Sequence, residues 1–493
     1  MLTEKAAIAA NRFGLGARPN DARLIGRDPV GWLDAQLEAA PRATHKPHSP
    51  PASAGVLQEV RDLRIVRQQA RLRASQDPPA QPPQIDPDAV RDFVQLVREH
   101  YVDQVADRHR RAIQTDQPFV ERLVHFWSNH FAVSADKPPV GSIAGLYEQE
   151  AIRPHVTGNF VDLLMAAERH PAMLLYLDNA TSMGANSNAA RFARNRGREL
   201  GLNENLAREI LELHTLGVDG GYTQDDVTEF AKVLTGWSIG GAIGPGGSIR
   251  GGGIRRPGAA GPRGGGALGD GGDPGEFYFR PRMHEPGEKT VLGKRYKERG
   301  VDEGEDVLQT LALHPATARH LATKLARHFV ADEPPTGLVD RLTDTYLEAD
   351  GELAPVYRAL INAGESWREP LAKYKTPQDF VISAYRALNH TPDNPQPITA
   401  FLTQLGQRPF APGSPAGWPD TAANWDGGDA LLKRVEWAAA AGRAVGDRLD
   451  PVPLADAILG PVVSRQTLQS IRGAESASQG LGLLLAAPEF QRR

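Results

Sequence analysis

Gly201–Trp237 reads GLNENLAREILELHTLGVDGGYTQDDVTEFAKVLTGW, and its spacing predicts two helices joined by a glycine turn. In the first, Leu206, Ala207, Ile210, Leu211 and Leu213 cover more than half of the circumference, so the helix should be mostly buried. Asn205, Arg208, Glu209 and Glu212 fall three, four and seven apart and share the remaining stripe. Asn203 is placed to cap the start, and Gly217 to end the helix in a left-handed conformation. Thr223 then caps a second helix, with Asp226 as its capping-box partner. A polar stripe on an otherwise apolar helix lines a cleft, pairs internally or faces water; the residues leave all three open.

Helical patterns continue on both sides. Upstream, Thr3–Asn11, Asp28 to about Glu38, Gly55–Ser75, Asp88–Ile113 and Gln117–Asn129 read as helices. Pro, Ala, Ser and His fill a connector at 41–54, and five prolines interrupt 76–87. Downstream, helices are expected near 303–313, 315–330, 336–349, 352–363 and 376–389, with more after an irregular Gly/Pro/Trp stretch at 406–427. Residues 239–275 form a glycine-rich insertion, expected to be a disordered loop. Phe277–Phe279 and Thr290–Leu292 are the best strand candidates, expected to pair as a small hairpin around His284–Gly287. The fold class is mainly α: a multi-helix globular bundle with at most a small β-hairpin. The chain divides into N-terminal helices (1–40), a central helical region (55–238), the insertion (239–275), a hairpin with helices (276–370) and a C-terminal helical region (371–493).

Composition narrows the function. Apolar residues at 40% and charged residues at 24% of 493 place the chain among ordinary globular proteins, long enough for more than one domain. A net charge of −4 gives no electrostatic case for nucleic acid or an anionic membrane as main partner. The absence of cysteine excludes disulfides, thiolate metal sites and cysteine nucleophiles, and is silent on compartment. No apolar run approaches the roughly 18 residues needed to span a bilayer. The N-terminus, with Glu4, Lys5 and Arg12, is too polar for a secretory leader, so the default location is the cytoplasm. A true start further upstream would instead allow export.

Several constellations could carry chemistry. Glu209 and Glu212 are candidate acid–base groups, with Asn205 and Arg208 as substrate-binding neighbours; internal ion pairing is the plainer reading. His125-Phe126-Trp127-Ser128-Asn129-His130-Phe131 sets two histidines and an amide among aromatics. His125 and Asn129 lie four apart, whereas His130 is five on from His125, which is not the spacing of a zinc helix. Tyr147-Glu148-Gln149-Glu150, with Arg153 and His155, reads better as a solvated face. Asp178, Asn179, Asn186, Ser187 and Asn188 form a polar loop of the kind that carries function or builds Asx turns. His320, Lys324, Arg327 and His328 make a basic stripe that could bind an anion, although a solvated face is the preferred reading.

Together these segments resemble the large bacterial domain of unknown function (DUF) 1800 family. The matching pieces are RFGLGARP (Arg12–Pro19), HFWSNHF (His125–Phe131), YE (Tyr147–Glu148), HPAMLLYLD (His170–Asp178) and NENLAREILELHTLG (Asn203–Gly217). GGYTQDDV (Gly220–Val227), LTGW (Leu234–Trp237), HPATARHLATKLARHFV (His314–Val330) and GWPD (Gly417–Asp420) complete the set. The resemblance implies a mostly helical protein and carries no established reaction. It also implies a partner resembling sulfatases, encoded nearby, and in many members an export leader.

Two functional expectations follow. In the first, Glu209 and Glu212 act with His125 and His130 in a cleft between helices, as a hydrolase-like acid–base or metal-assisted enzyme. Asn205, Arg208, Asn129 and Asp178 would bind substrate, and a divalent cation is the cofactor such a site could take. In the second, the chain is a non-catalytic binding or assembly partner of an exported or surface-acting protein.

Overall fold

The computed structural model describes residues 2–40, 52–63, 87–195, 201–241, 271–368, 371–394 and 396–493. The connector at 41–51, residues 64–86 and the glycine-rich insertion at 242–270 lie outside the described residues. Helices build most of what is described. Proline at the first helical position starts many of them, where its missing N–H costs nothing. Examples are Pro29–Ala39, capped by Asp28, and the helices beginning at Pro171, Pro315, Pro377 and Pro451, whose preceding residues each cap with a side-chain atom.

Four helices position the site, α1 (Pro87–Gln114), α2 (Pro118–His130), α5 (Pro315–Phe329) and α6 (Pro377–Ala387), and between them in the chain run α3 (Asn205–Glu209) and α4 (Gln224–Leu234). The expected central pair is α3 and α4. Leu206, Ala207, Ile210 and Leu211 are fully buried, Gly217 takes φ +88°, and Thr223 and Asp226 form the reciprocal capping box. After Glu209 the helix widens into a π turn, Ile210–His214. Such turns insert a residue into the ladder and often mark functional sites; this one turns His214 fully into the core.

The strand candidates form, but with different partners. β1 (Trp237–Ile239) pairs antiparallel with β2 (Phe277–Phe279), bringing the ends of the glycine-rich insertion together. β3 (Lys289–Val291) pairs with β4 (Lys294–Tyr296) across a tight turn at Leu292 and Gly293, both at positive φ. The expected pairing of 277–279 with 290–292 is therefore corrected. Three-residue apolar runs carry no register of their own, and the Leu292-Gly293 turn offered β3 a nearer partner.

One large apolar cluster draws residues from Leu2 to Phe490. The RFGLG stretch is part of it. Phe13 packs on Phe119, Phe329 and Trp367 at 5.8, 5.7 and 5.3 Å between ring centroids. The buried Arg12 guanidinium donates to the carbonyls of Ser366 and Arg368 (2.7 and 2.9 Å), while Gly14 O accepts from Arg122 Nε at 2.6 Å. The N-terminal motif thus braces α2, α5 and the 366–368 turn against one another. Among the described residues no helix is long and apolar enough to cross a membrane.

Candidate functional site

α2 ends beside a cavity of about 280 Å³, and its last two turns supply one wall: His125, Phe126, Ser128, Asn129 and His130. The two histidines are held as neutral rings in opposite ways. His125 Nδ1 accepts from the Gln378 amide at 3.2 Å, so the ring hydrogen sits on Nε2, which faces Glu121 at 3.6 Å. His130 Nε2 lies 3.1 Å from the carbonyl of His214 and must donate to it, leaving Nδ1 as a buried lone pair with no partner among the described residues. Burial holds both imidazoles well below the usual histidine range, helped by Arg108 and Arg153 at His125 and by Lys324 at His130.

The opposite wall is α5. Lys324, Arg327 and His328, spaced i, i+3 and i+4, all line the cavity. His328 Nδ1 stands 2.5 Å from Asp420 Oδ2. Asp420 is kept ionised by His328, Lys373 and Arg493 against the opposing effect of burial, so Nδ1 carries the hydrogen and donates it. Nε2, on the far side of the ring, has no hydrogen-bond partner among the described residues. Burial pushes this imidazole down to about 4, against the pull of Asp420, so it is neutral at physiological pH and its Nε2 lone pair is available.

Asp420 arrives on the GWPD turn, and α2 places that turn. The Asn129 amide donates to Trp418 O at 2.9 Å and accepts from Trp418 N at 2.7 Å. Gly417 makes the approach possible: its φ is +78°, and a Cβ there would lie 2.3 Å from Asn129 O. Pro419 O accepts from Trp425 Nε1 at 2.9 Å, fixing the far side of the turn.

Behind the walls runs a frame of buried ion pairs. Asp379, at the start of α6, receives Arg122 Nη1 at 3.2 Å and Arg493 Nε at 3.1 Å. These cations hold its carboxyl well below the usual carboxylate range in spite of burial. Arg493 also donates to His328 O at 2.9 Å and reaches Asp420 at 3.5 Å. On the other side Arg153 grips Glu121 with two bonds of 2.6 and 2.8 Å, and Arg108 stands 3.3 Å from the wholly buried Glu148.

The segments that meet here are HFWSNHF, the α5 stripe and GWPD. A family model described as "Protein of unknown function (DUF1800)" matches residues 8–492. The chain belongs to the DUF1800 family. No curated protein and no solved structure matches it. In this DUF1800 chain, motif segments separated by almost 300 residues in sequence thus share one cavity.

The sequence-predicted residues divide accordingly. His125, His130 and Asn129 line the cavity, but Asn129 spends its amide on the Trp418 backbone. Glu209 and Glu212 are not brought there. Asn205 is exposed, and Arg208, Glu209 and Glu212 are half-exposed on the outer side of α3 and its π turn. Arg208 pairs with Glu204 at 3.1 Å and bonds Gln224 at 3.0 Å, and Glu212 accepts from Tyr222 OH at 3.3 Å. The expected shared pocket is therefore corrected: the apolar face of α3 turns to the core, so the stripe opposite it must face out. What α3 contributes to the region of His130 is the carbonyl of His214, whose ring in turn lies 2.7 Å from the buried Glu168. Asp178 also lies elsewhere, in a left-handed turn held by Lys137 at 2.5 Å.

Sequence reasoning passed over Asp420, Asp379 and Arg122, and preferred a solvated face for Lys324, Arg327 and His328. One signal was present: the four-residue GWPD run shared with DUF1800 stands in an otherwise irregular stretch. Among the described residues no three His, Asp or Glu side chains gather closely enough to hold a metal ion.

Proposed function

We propose that this cavity is an acid–base catalytic site, hydrolase-like in character, in which His328 is the general base and Asp420 its orienting partner. The observation that carries the reading is the His328 ring itself. One nitrogen is committed to a carboxylate at 2.5 Å, and the other is buried without a hydrogen-bond partner among the described residues, on a ring that lines the cavity. That arrangement fixes the tautomer and steadies the cation formed when Nε2 takes a proton from water or a substrate hydroxyl. His125 and His130, neutral and held on the facing wall, are placed to bind polar groups of the substrate or to return a proton.

The test is a panel of chromogenic carboxylate, phosphate and sulfate esters assayed with the full chain and with His328→Gln and Asp420→Asn. Turnover by the parent that falls at least about a hundredfold in His328→Gln, with the melting temperature kept, is the expected result. Turnover untouched by His328→Gln, or none on any class of ester, counts against the proposal.

A second reading, the non-catalytic partner of an exported or surface-acting protein, is favoured by one feature. Leu431, Leu432 and Val435 are 43, 57 and 40% exposed on the helix Gly428–Val445, and Leu483 of the helix packed against it is 39% exposed. Exposed apolar side chains grouped on one helix, as Leu431, Leu432 and Val435 are, mark interaction surfaces where they form a patch. A sulfatase-like partner is the candidate that the family resemblance suggests. Co-purification lost on Leu432→Glu, with the chromogenic assays silent, would support it.

A further inference from the structure

We infer that Lys324 and Arg327 form an oxyanion-binding subsite, so that the substrate class of this cavity is a small molecule bearing a phosphate, sulfate or carboxylate group. This inference rests on the same cavity as the acid–base reading and adds to it what the substrate must carry.

Four cationic side chains line the cavity: Arg108, Arg122, Lys324 and Arg327. Arg122 is committed to Asp379, and Arg108 to Glu148 and to the face of Phe410, 4.7 Å away. The two lining carboxylates are committed as well, Asp379 to Arg122 and Arg493, Asp420 to His328 and Arg493. Lys324 and Arg327 are left over. Among the described residues no carboxylate lies within 4 Å of either, and the one bond made by the Arg327 guanidinium is from Nε to the backbone carbonyl of Asp332 at 3.1 Å.

Lys324 feels the charge of Asp420 without an ion pair to it, and half-buried cations without a direct partner are costly to keep in a folded protein unless something pairs with them. Arg327 offers the outer edge of a planar fork, suited to two oxygens of one anion, and Lys324 a compact charge one turn away. Burial lowers the Lys324 ammonium to about 8 against the pull of Asp420. His328 follows Arg327 directly in the chain and is one turn from Lys324. An anion on these two residues would therefore hold the rest of the molecule beside the unpartnered Nε2. The cavity volume of about 280 Å³ suits a small molecule.

Calorimetric titration of the full chain at pH 7 and low salt, with inorganic phosphate, sulfate and acetate in separate arms, tests this. Saturable one-to-one binding of at least one of them is expected. Lys324→Gln with Arg327→Gln should weaken that binding at least tenfold, Lys324→Arg should keep it within about threefold, and His328→Gln should leave it. The arm that binds tightest separates a tetrahedral anion from a carboxylate. Should the double variant fold poorly by melting temperature, Lys324→Gln alone serves. No saturable binding, or binding indifferent to Lys324 and Arg327, overturns the subsite. Retained anion binding with turnover indifferent to His328 would instead leave the subsite standing and remove the base.

Discussion

The side-chain amide of Asn129 closes a two-bond ring on the backbone of Trp418, giving one hydrogen bond and taking another. Through it α2 sets the position of Asp420, two residues on, and so the line between Asp420 and His328. Asn129→Ala should therefore act at a distance. Losing both bonds and leaving the Trp418 groups unpaired is expected to cost about 1–3 kcal/mol by urea unfolding. The proton between His328 and Asp420 should give a far-downfield imidazole resonance in the parent. That resonance should broaden or vanish in Asn129→Ala, as it must in Asp420→Asn. A sharp, unshifted resonance in Asn129→Ala would mean that the turn is placed by something else.

Gly417 meets the same clamp from the other side. Alanine there would need both a left-handed backbone and a Cβ 2.3 Å from the Asn129 carbonyl. Gly417→Ala should destabilise by at least about 1 kcal/mol and should mimic Asn129→Ala in the downfield resonance. Stability equal to the parent would show that the turn is free to shift.

Asp379 is buried between two guanidinium groups, and neutralising it leaves both without their shared carboxylate. Removing one side of such a cluster typically costs about 3–5 kcal/mol, so Asp379→Asn should lower the urea midpoint strongly. Asp379→Asn with Arg122→Met should recover part of the loss, because the second change removes one of the stranded cations. A double variant no better than the single one would show that Arg122 has an equally important partner in Gly14 O.

The helical architecture and its caps were legible in the sequence because they are local. Apolar spacing fixed the buried face of α3, Thr223 with Asp226 fixed the start of α4, and proline with a capping residue marked α5 and α6. The site was half legible. His125 and His130 stood out as polar groups among aromatics, and they do line the cavity. Glu209 and Glu212 stood out for the same reason and do not, since periodicity shows which residues share a face but not what that face meets. The partner of His328 could not be read at all: Asp420 is 92 positions away, on an irregular turn. Glu209→Gln with Glu212→Gln follows as a control, expected to leave turnover within about twofold and stability within about 0.5 kcal/mol, as for surface positions.

Acid should unfold this protein before its carboxylates titrate. Burial holds His109, His320 and His328 at about 4, and His125 and His130 well below 6.5, so the folded chain resists taking up protons on these rings. The unfolded chain binds them near pH 6.5. Between pH 6.5 and about 4 the unfolded state therefore holds more protons, and stability falls as pH falls. Each ring contributes on the order of 1 kcal/mol per pH unit in that window. Urea unfolding at pH 7.5, 6 and 5 should show a loss that steepens below pH 6. His109→Gln, remote from the cavity wall, should flatten the curve by about one ring's share, and a pH-independent midpoint would mean that these rings take up protons in the fold as readily as in the unfolded chain.

Activity should have its own pH limits, set by different groups from those that set stability. His328 can accept a proton only while neutral, which its value of about 4 allows throughout the range where the fold survives. Lys324 can hold an anion only while charged, and its value of about 8 places the loss of that charge within reach. Catalytic efficiency, as kcat/KM, should therefore be flat from about pH 5 to 7 and fall above about 8, and the fall should appear in KM rather than kcat. Lys324→Arg replaces the titrating ammonium with a guanidinium that stays charged, so the alkaline limb should move up by more than one pH unit while kcat at pH 7 changes little. The other ionisable groups facing Lys324 are Arg327, Asp420, His130 and His320; the Asp420 carboxyl is held below the usual carboxylate range, and the two rings are neutral well below pH 8. An alkaline limb that stays in place in Lys324→Arg would assign it to the substrate or to another residue, and would remove Lys324 from the binding step.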